Sequence, residues 1–521
     1  MKKIYILFAV FFSLVSFGQD TDQNYSKKIT YKKESTSGVV DITNPANAII
    51  EVTYYDGLGR PIQNIAHKQS NSGKDIITHM EYDSFGRQTK EYLPYPNSAP
   101  SLSYTDIMSV ASDLNSFHSS YNGGTSNPYS EKEMELSPMS RVFKQAAPGN
   151  SWVMNSGNEI KFQYLSNSAV DGVKKFTVEA AWNPTYERYD NPFPQISTYS
   201  ANKLYKTITK DENWKSGKNH TTEEFKNNEG QVILKRTYSD IGGQTEVPHD
   251  TYYVYDQYGN LTFVIPPLAA SEDLTQIVLD DLCYQYRYDY RNRLIEKKLP
   301  GKDWEYIVYN TQNMVVATGP AYNPWGENYP SEKGWLITKY DALGRVLYTG
   351  YYTGKDVTET GRAAYQSEQT GLQGGFAENI SNNEPPFDGV SVGYTNKVLP
   401  MTGYKLLTIN YYDDYSNPYP PTLPADVIGA QLATHPKTLP TGSWTRVLDN
   451  SSNTTAEVSY TLYDKRFRPV RTSSTNYLEG YTQVDTKMDW AGKVLETHAF
   501  HKYDTNATEL EVVDYFEYTD Q

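Results

Sequence analysis

Tyrosine and aspartate, two side chains able to pass a proton between them, stand next to each other repeatedly in this chain. Tyr55-Asp56, Tyr82-Asp83, Tyr255-Asp256, Tyr288-Asp289 and Tyr340-Asp341 each open the phrase Tyr-Asp-x-x-Gly-Arg or a near copy of it. The glycine stands at Gly59, Gly86, Gly259 and Gly344, and the arginine at Arg60, Arg87, Arg293 and Arg345. A phenol beside a carboxylate is a reasonable acid–base pair. A reaction centre, however, is built once, whereas this phrase returns at irregular intervals. Repetition makes it a building part, and no catalytic residue is assigned to it.

Other candidates for chemistry are sparse. Of eight histidines only His498 and His501 are close, and on a strand residues three apart point to opposite faces, so a shared metal is not expected. Asp280-Asp281 and Asp413-Asp414 lack the ladder of alternating oxygen ligands of a calcium loop. The single cysteine, Cys283, reads as a small buried apolar residue in the strand-like run DDLCYQYRYDY. No Gly-x-Ser-x-Gly, phosphate loop, His-Glu-x-x-His or cysteine cluster occurs. The expectation is a protein that is not an enzyme, with no metal and no cofactor.

The elements around the phrase explain it better. At 49–56 the run IIEVTYYD leads in and RPIQNIAHK leads out; at 284–301 the unit is YQYRYDYRNRLIEKKLPG. Period-two alternation on both sides of a tight glycine turn predicts β-hairpins. Aspartate can accept backbone N–H groups two residues on, and glycine suits a position of positive φ. The arginine fork can pair with an aspartate or lie on a tyrosine ring of the next hairpin. Weaker copies fit the same frame: YNTQNM at 309–314, YDKRFR at 463–468, MDWAGK at 488–493 and YYDDYSN at 411–417. FKNNEGQ at 225–231 fits with one extra residue before Gly230. With 47 tyrosines against 17 phenylalanines, the composition favours strands with one wet face.

The charge balance, 48 basic against 62 acidic residues and a net of −14, disfavours nucleic acid as a partner. Lys2 and Lys3 before the apolar run 4–17 read as a signal peptide over residues 1–18, cut between Gly18 and Gln19. No later apolar run is long enough to span a bilayer, so the mature chain is expected to be exported, secreted or on the cell surface, without a membrane span. One cysteine allows no internal disulfide.

These recurring phrases resemble the YD repeats of the RHS (rearrangement hot spot) family, found also in the C components of Tc toxins and in teneurin shells. The resemblance covers roughly 45–100, 220–350 and 450–521, and the segments 127–152 and 426–448 look like the non-repeat regions of secreted bacterial RHS proteins. It implies a mainly β fold in which consecutive hairpins form a spiralling sheet, part of an RHS-type shell, with a few short helices in non-repeat inserts. The partners it implies are the rest of the same polypeptide, with further repeats and a C-terminal toxin or other cargo, then secretion machinery or cell-surface ligands. In that family such shells serve polymorphic toxins and competition between bacteria. The alternative is a surface adhesin, a β scaffold for carbohydrate or protein.

The expected organisation is an N-terminal β region over 19–97, a non-repeat region with one helix over 98–200 and a YD-repeat sheet over 201–350. A loop-rich insert with a short helix follows over 351–445, then further repeats over 446–521, ending within a repeat turn at Tyr518 to Gln521. The helices are expected over 103–122, with Ile107, Val110, Ala111, Leu114 and Phe117 on one face, and over 424–435 after Pro424.

Overall fold

The computed structural model describes residues 23–32, 40–70, 72–97, 101–121, 124–326, 332–372 and 375–518. The signal segment and its Gly18–Gln19 junction lie outside the described residues. The chain is mainly β and divides into two compact units, 1–161 with 518–521, and 162–517.

In the first unit, strands Asn24–Tyr31, Ala48–Tyr55, Pro61–Ala66, Ile76–His79 and Tyr95–Pro96 form one antiparallel sheet. Ala48, Ile50, Val52 and Tyr54 alternate inward with Ile65 and Ile77 opposite, which the period-two pattern of the sequence requires. Helix α1 (Ile107–Ser120) packs on this core. Its N-cap is Asp106, whose carboxylate accepts the Met108 and Ser109 N–H groups at 3.0 and 3.1 Å. The buried stripe is Val110, Leu114 and His118, with Phe117 partly covered; Ile107 and Ala111 are exposed, so the apolar face is narrower than its sequence suggests.

Among the described residues of the second unit, eighteen strands from Tyr205–Lys210 to Leu510–Tyr515 follow one another in chain order, each antiparallel to the next. One face of this sheet is covered in two places. Segment 167–204 lies over Phe225, Leu234, Tyr252, Val254, Phe263 and Ile265. A second core gathers Trp335, Ile337, Tyr348, Leu406, Ile409 and Trp444 beneath Tyr365, Val390 and Tyr394.

Three helices here depart from the sequence reading. Helices α2 (Pro267–Ser271) and α3 (Gln276–Leu282) sit between two strands, so Asp280 and Asp281 are helical and Cys283 caps α3 before the strand begins at Tyr284. Helix α4 (Glu359–Gly371) occupies a stretch that reads as glycine-, asparagine- and threonine-rich loop, started by Thr358 accepting the Gly361 N–H. No helix forms over 424–435. There Asp426 accepts the Gly429 N–H at 2.8 Å and Ile428 and Gly429 take positive φ, so a two-residue turn between Val427 and Ala430 replaces the helix. Residues 351–445 also carry two strands of the continuous sheet, Tyr404–Tyr412 and Pro440–Arg446. No helix among the described residues is long and apolar enough to cross a membrane.

Candidate functional site: the turn-bearing edge of the sheet

Each of the five full phrases folds into the same turn. The Asp56 N–H donates to the Arg60 carbonyl at 2.9 Å and the Gly59 N–H donates back to the Asp56 carbonyl at 3.0 Å. One oxygen of Asp56 accepts the Leu58 and Arg60 N–H groups, both at 2.9 Å, and the other accepts Arg60 Nε at 2.8 Å. Asp83, Asp289 and Asp341 repeat this set with Arg87, Arg293 and Arg345. Asp256 does so with Asn260 in the arginine's place. Bonds to the charged form hold two of these carboxyls below the ordinary aspartate value: chiefly the Arg60 N–H at Asp56, and the Arg87 side chain at Asp83. The glycine position requires a left-handed backbone, with φ of +76° at Gly59 and +80° at Gly344. Asn292, Asn313 and Phe467 hold the same place at +57°, +63° and +62°.

The geometry corrects the frame of one copy and adds others. In FKNNEGQ the turn runs from Asn227 to Gln231, with Gly230 N–H on the Asn227 carbonyl at 3.1 Å, so there is no extra residue; Lys226 replaces the tyrosine. Ser70 builds the same turn with Gly73 and Lys74, and Asn476 with Glu479 and Gly480; neither carries the tyrosine that makes a phrase visible. At Asp413 the turn is expanded. Its N–H reaches the Leu439 carbonyl at 3.2 Å and its carboxylate accepts the Thr438 N–H at 2.6 Å, with residues between forming a long excursion.

Tyrosine and arginine tie each hairpin to its neighbour. The Tyr82 hydroxyl donates to the Pro61 carbonyl at 2.9 Å, Tyr288 to Leu261 at 2.9 Å, Tyr309 to Leu294 at 2.7 Å and Tyr340 to Val315 at 2.6 Å. Tyr412 and Tyr463 do the same to Val346 and Pro440. In every case the acceptor is the residue that follows the arginine position, or its equivalent, one hairpin earlier. The guanidinium of that earlier turn lies over the ring: Arg60 over Tyr82 at 4.3 Å, Arg293 over Tyr309 at 4.6 Å and Arg345 over Tyr412 at 4.4 Å. The arginine therefore grips its own aspartate and its neighbour's ring at once.

Within the second unit these turns, apart from that at Asn476 on the opposite edge, lie on a single edge of the sheet. Strands reverse at each hairpin, so alternate connections share an edge. The alternate connections are those at Asn227, Asp256, Asp289, Asn310, Asp341, Asp413, Asp464 and Asp489. Tyr255 stays half-buried against the core, and Tyr55 meets Ser26 at 3.0 Å. The residues singled out in the second unit are thus spread along an edge; Asp341 and Asp413, both held by Arg345, line one pocket together with Glu378 and Tyr394.

Sequence reasoning missed the buried charges, because their partners are far apart in the chain. Glu296, fully buried, lies 2.5 Å from Arg188 Nη1, 3.1 Å from Arg287 Nη1 and 3.3 Å from Arg362 Nε, while Glu359 pairs with Arg188 and Arg287 at 2.9 Å. This cluster pins segment 181–190 and helix α4 to the sheet. His498 stands between Glu496 and Glu511, whereas His501 bonds Thr482 on the other face of its strand. Burial pushes the Cys283 thiol up to about 12.

A family model described as a domain of unknown function (DUF6443) matches residues 27–166. No curated protein matches the chain. Among solved structures, a TcdB2–TccC3–Cdc42 crystal structure is similar at 12% identity and a TM-score of 0.48, over 95% of this chain and 20% of that one. A TcdB2–TccC3 crystal structure is similar at 12% identity and a TM-score of 0.47, over 91% of this chain and 20% of that one. A Photorhabdus luminescens Tc holotoxin pore gives 12% identity and 0.43, over 95% and 20%. The chain spans about a fifth of the length of these structures.

Proposed function

We propose that this chain is a non-catalytic wall segment of a secreted RHS/YD-repeat protein, building the β-shell that encloses or presents a C-terminal toxin or other cargo. The observation that carries the reading is the shared edge: one turn, repeated at alternate connections, with each copy gripping the next. Such a sheet grows by adding hairpins and needs no centre. Its turn carboxylates are occupied by their own backbone and arginine, which leaves them nothing to offer a substrate. The acidic balance and the signal-like N-terminus fit an exported scaffold. The test is protease protection of the C-terminal segment in the complete gene product. Resistance that disappears when that segment is produced alone supports the reading; equal digestion in both forms overturns it.

A second reading, a carbohydrate- or protein-binding scaffold, rests on the sheet's other face. Thr338, Thr349, Thr408 and Thr445 stand in register across four strands, and Asn410, Ser443, Ser459, Ser474, Thr482 and His501 across six. Strands lie about 4.8 Å apart, and across that spacing the Thr349–Thr408 and Ser443–Ser459 hydroxyls bond each other at 2.7 Å, a continuous row of donors and acceptors. Binding on a glycan array that Thr349→Val and Ser459→Ala abolish would favour this reading, and no binding would remove it.

A further inference from the structure

The second core holds a lysine where a hydrophobic residue would be expected. Lys339 is 1% exposed on strand Lys333–Tyr340, with its Nζ 5.4 Å from the Tyr348 ring centre and 5.2 Å from that of Tyr404. Its ammonium has three neighbours: Asn396 Oδ1 at 2.5 Å, the Val398 carbonyl at 2.6 Å and Glu378 Oε1 at 3.2 Å. Glu378 is fully buried and is aimed by Thr395 Oγ1 at 2.6 Å and by the Lys397 and Val398 N–H groups at 2.9 to 3.0 Å. The Asn396 carboxamide is fixed at both ends. Tyr404 OH donates to its Oδ1 at 3.0 Å, and its Nδ2 donates to the Met401 carbonyl at 2.6 Å.

A buried lysine–carboxylate pair rarely stabilises a fold by itself, because desolvation of both charges offsets their attraction. Here the closest group to the amine is a neutral carboxamide, with a phenol hydroxyl on the same oxygen and a carboxylate beside the amine. That set is an amine nucleophile, an acyl group, an oxyanion donor and a proton carrier in a site shielded from water. Burial also lowers Lys339 to about 8, against the pull of Glu378, which raises the share of free amine.

We propose that Lys339 and Asn396 condense into an intramolecular isopeptide bond, with Glu378 as proton carrier and Tyr404 as oxyanion donor. Glu378 takes one proton from the Lys339 ammonium, and the freed Nζ lone pair attacks Asn396 Cγ. The carbonyl π electrons move to Oδ1, which Tyr404 OH stabilises. Glu378 passes its proton to Nδ2 and removes the second proton from Nζ. The Cγ–Nδ2 bond then breaks with its electrons on nitrogen, and ammonia leaves. Ammonia collects the proton held by Glu378, so the products are a secondary amide, ammonium and the original carboxylate; no oxidant or further reactant is needed. The bond would clamp the covering segment 378–398 to the strand beneath it, in a chain whose single cysteine can form no internal disulfide.

Mass spectrometry of the purified, denatured protein tests this. A tryptic digest should contain one branched species joining the peptide of Lys339 to that of Asn396, lighter than their sum by one ammonia, with no cleavage after Lys339. Lys339→Arg, Asn396→Ala and Glu378→Gln should each restore separate linear peptides of full mass. Linear Lys339 and Asn396 peptides from the wild-type protein overturn the proposal, as does Asn396 converted to aspartate with Lys339 free. The wild-type digest decides the question even where a variant fails to fold. A bond that still forms in Glu378→Gln overturns the role given to Glu378.

Discussion

At the residue scale, the aspartate of an arginine-bearing turn is both a backbone acceptor and a partner for that arginine. Asp83→Asn keeps the acceptor for Phe85 and Arg87 N–H groups but loses the charge that Arg87 grips. Asp83 lies below its ordinary value of 3.8, so its contribution is complete above that pH and is lost as the pH falls through the lower folded value. Thermal melts should therefore show the variant less stable than wild type at pH 7, with the gap closing below about pH 3.8. A gap independent of pH would mean that the Asp83 charge does not contribute to stability. The glycine position supplies a converse pair of experiments. Gly344→Val forces a β-branched residue to +80° and should destabilise by about 1–2 kcal/mol in denaturant titrations. Phe467, half-exposed at +62°, already carries that strain, so Phe467→Asn should gain up to about 1 kcal/mol.

At the element scale, the unit is a hairpin plus the grip on its neighbour. Tyr309→Phe keeps the ring beneath Arg293 and removes only the bond to the Leu294 carbonyl, so the expected cost is about 1 kcal/mol by denaturant unfolding. A double-mutant cycle of Tyr309→Leu, which removes the ring, with Arg293→Met should give a coupling that is not zero, because the guanidinium lies over that ring. The hairpins were legible in the sequence because their turn signal is local: tyrosine, aspartate, glycine and arginine within six residues. Copies lacking that full set, at Ser70, Asn227 and Asn476, were missed or misframed, since a serine or asparagine acceptor serves the same turn without the flag. Helix α3 was hidden because QIVLDDL is too short to separate a helical from a strand period. Helix α4 was hidden by its terminal glycines and threonines, although Thr358 is a good N-cap ahead of Arg362, Ala363, Tyr365, Gln366 and Gln369, its buried face. The charge clusters around Glu296 and Glu378 carry no local signal at all; only the fold brings their members together.

At the scale of the whole molecule, each unit rests on packing and strand pairing, since the single cysteine allows no internal disulfide. Cys283 is fully buried and its thiol is pushed up to about 12, so thiol reagents should label it only after global unfolding. Labelling under native conditions would mean that the core beside α3 opens. The repeated turns hold neighbouring hairpins together. Native-state amide hydrogen exchange of Asp341→Ala measures this most directly. Faster exchange is expected at Leu343 and Arg345 and also in the flanking turns at Asn310 and Asp413, because Tyr340 and Arg345 reach into both neighbouring hairpins. Faster exchange confined to residues 341–345, with the neighbouring turns unchanged, would contradict it.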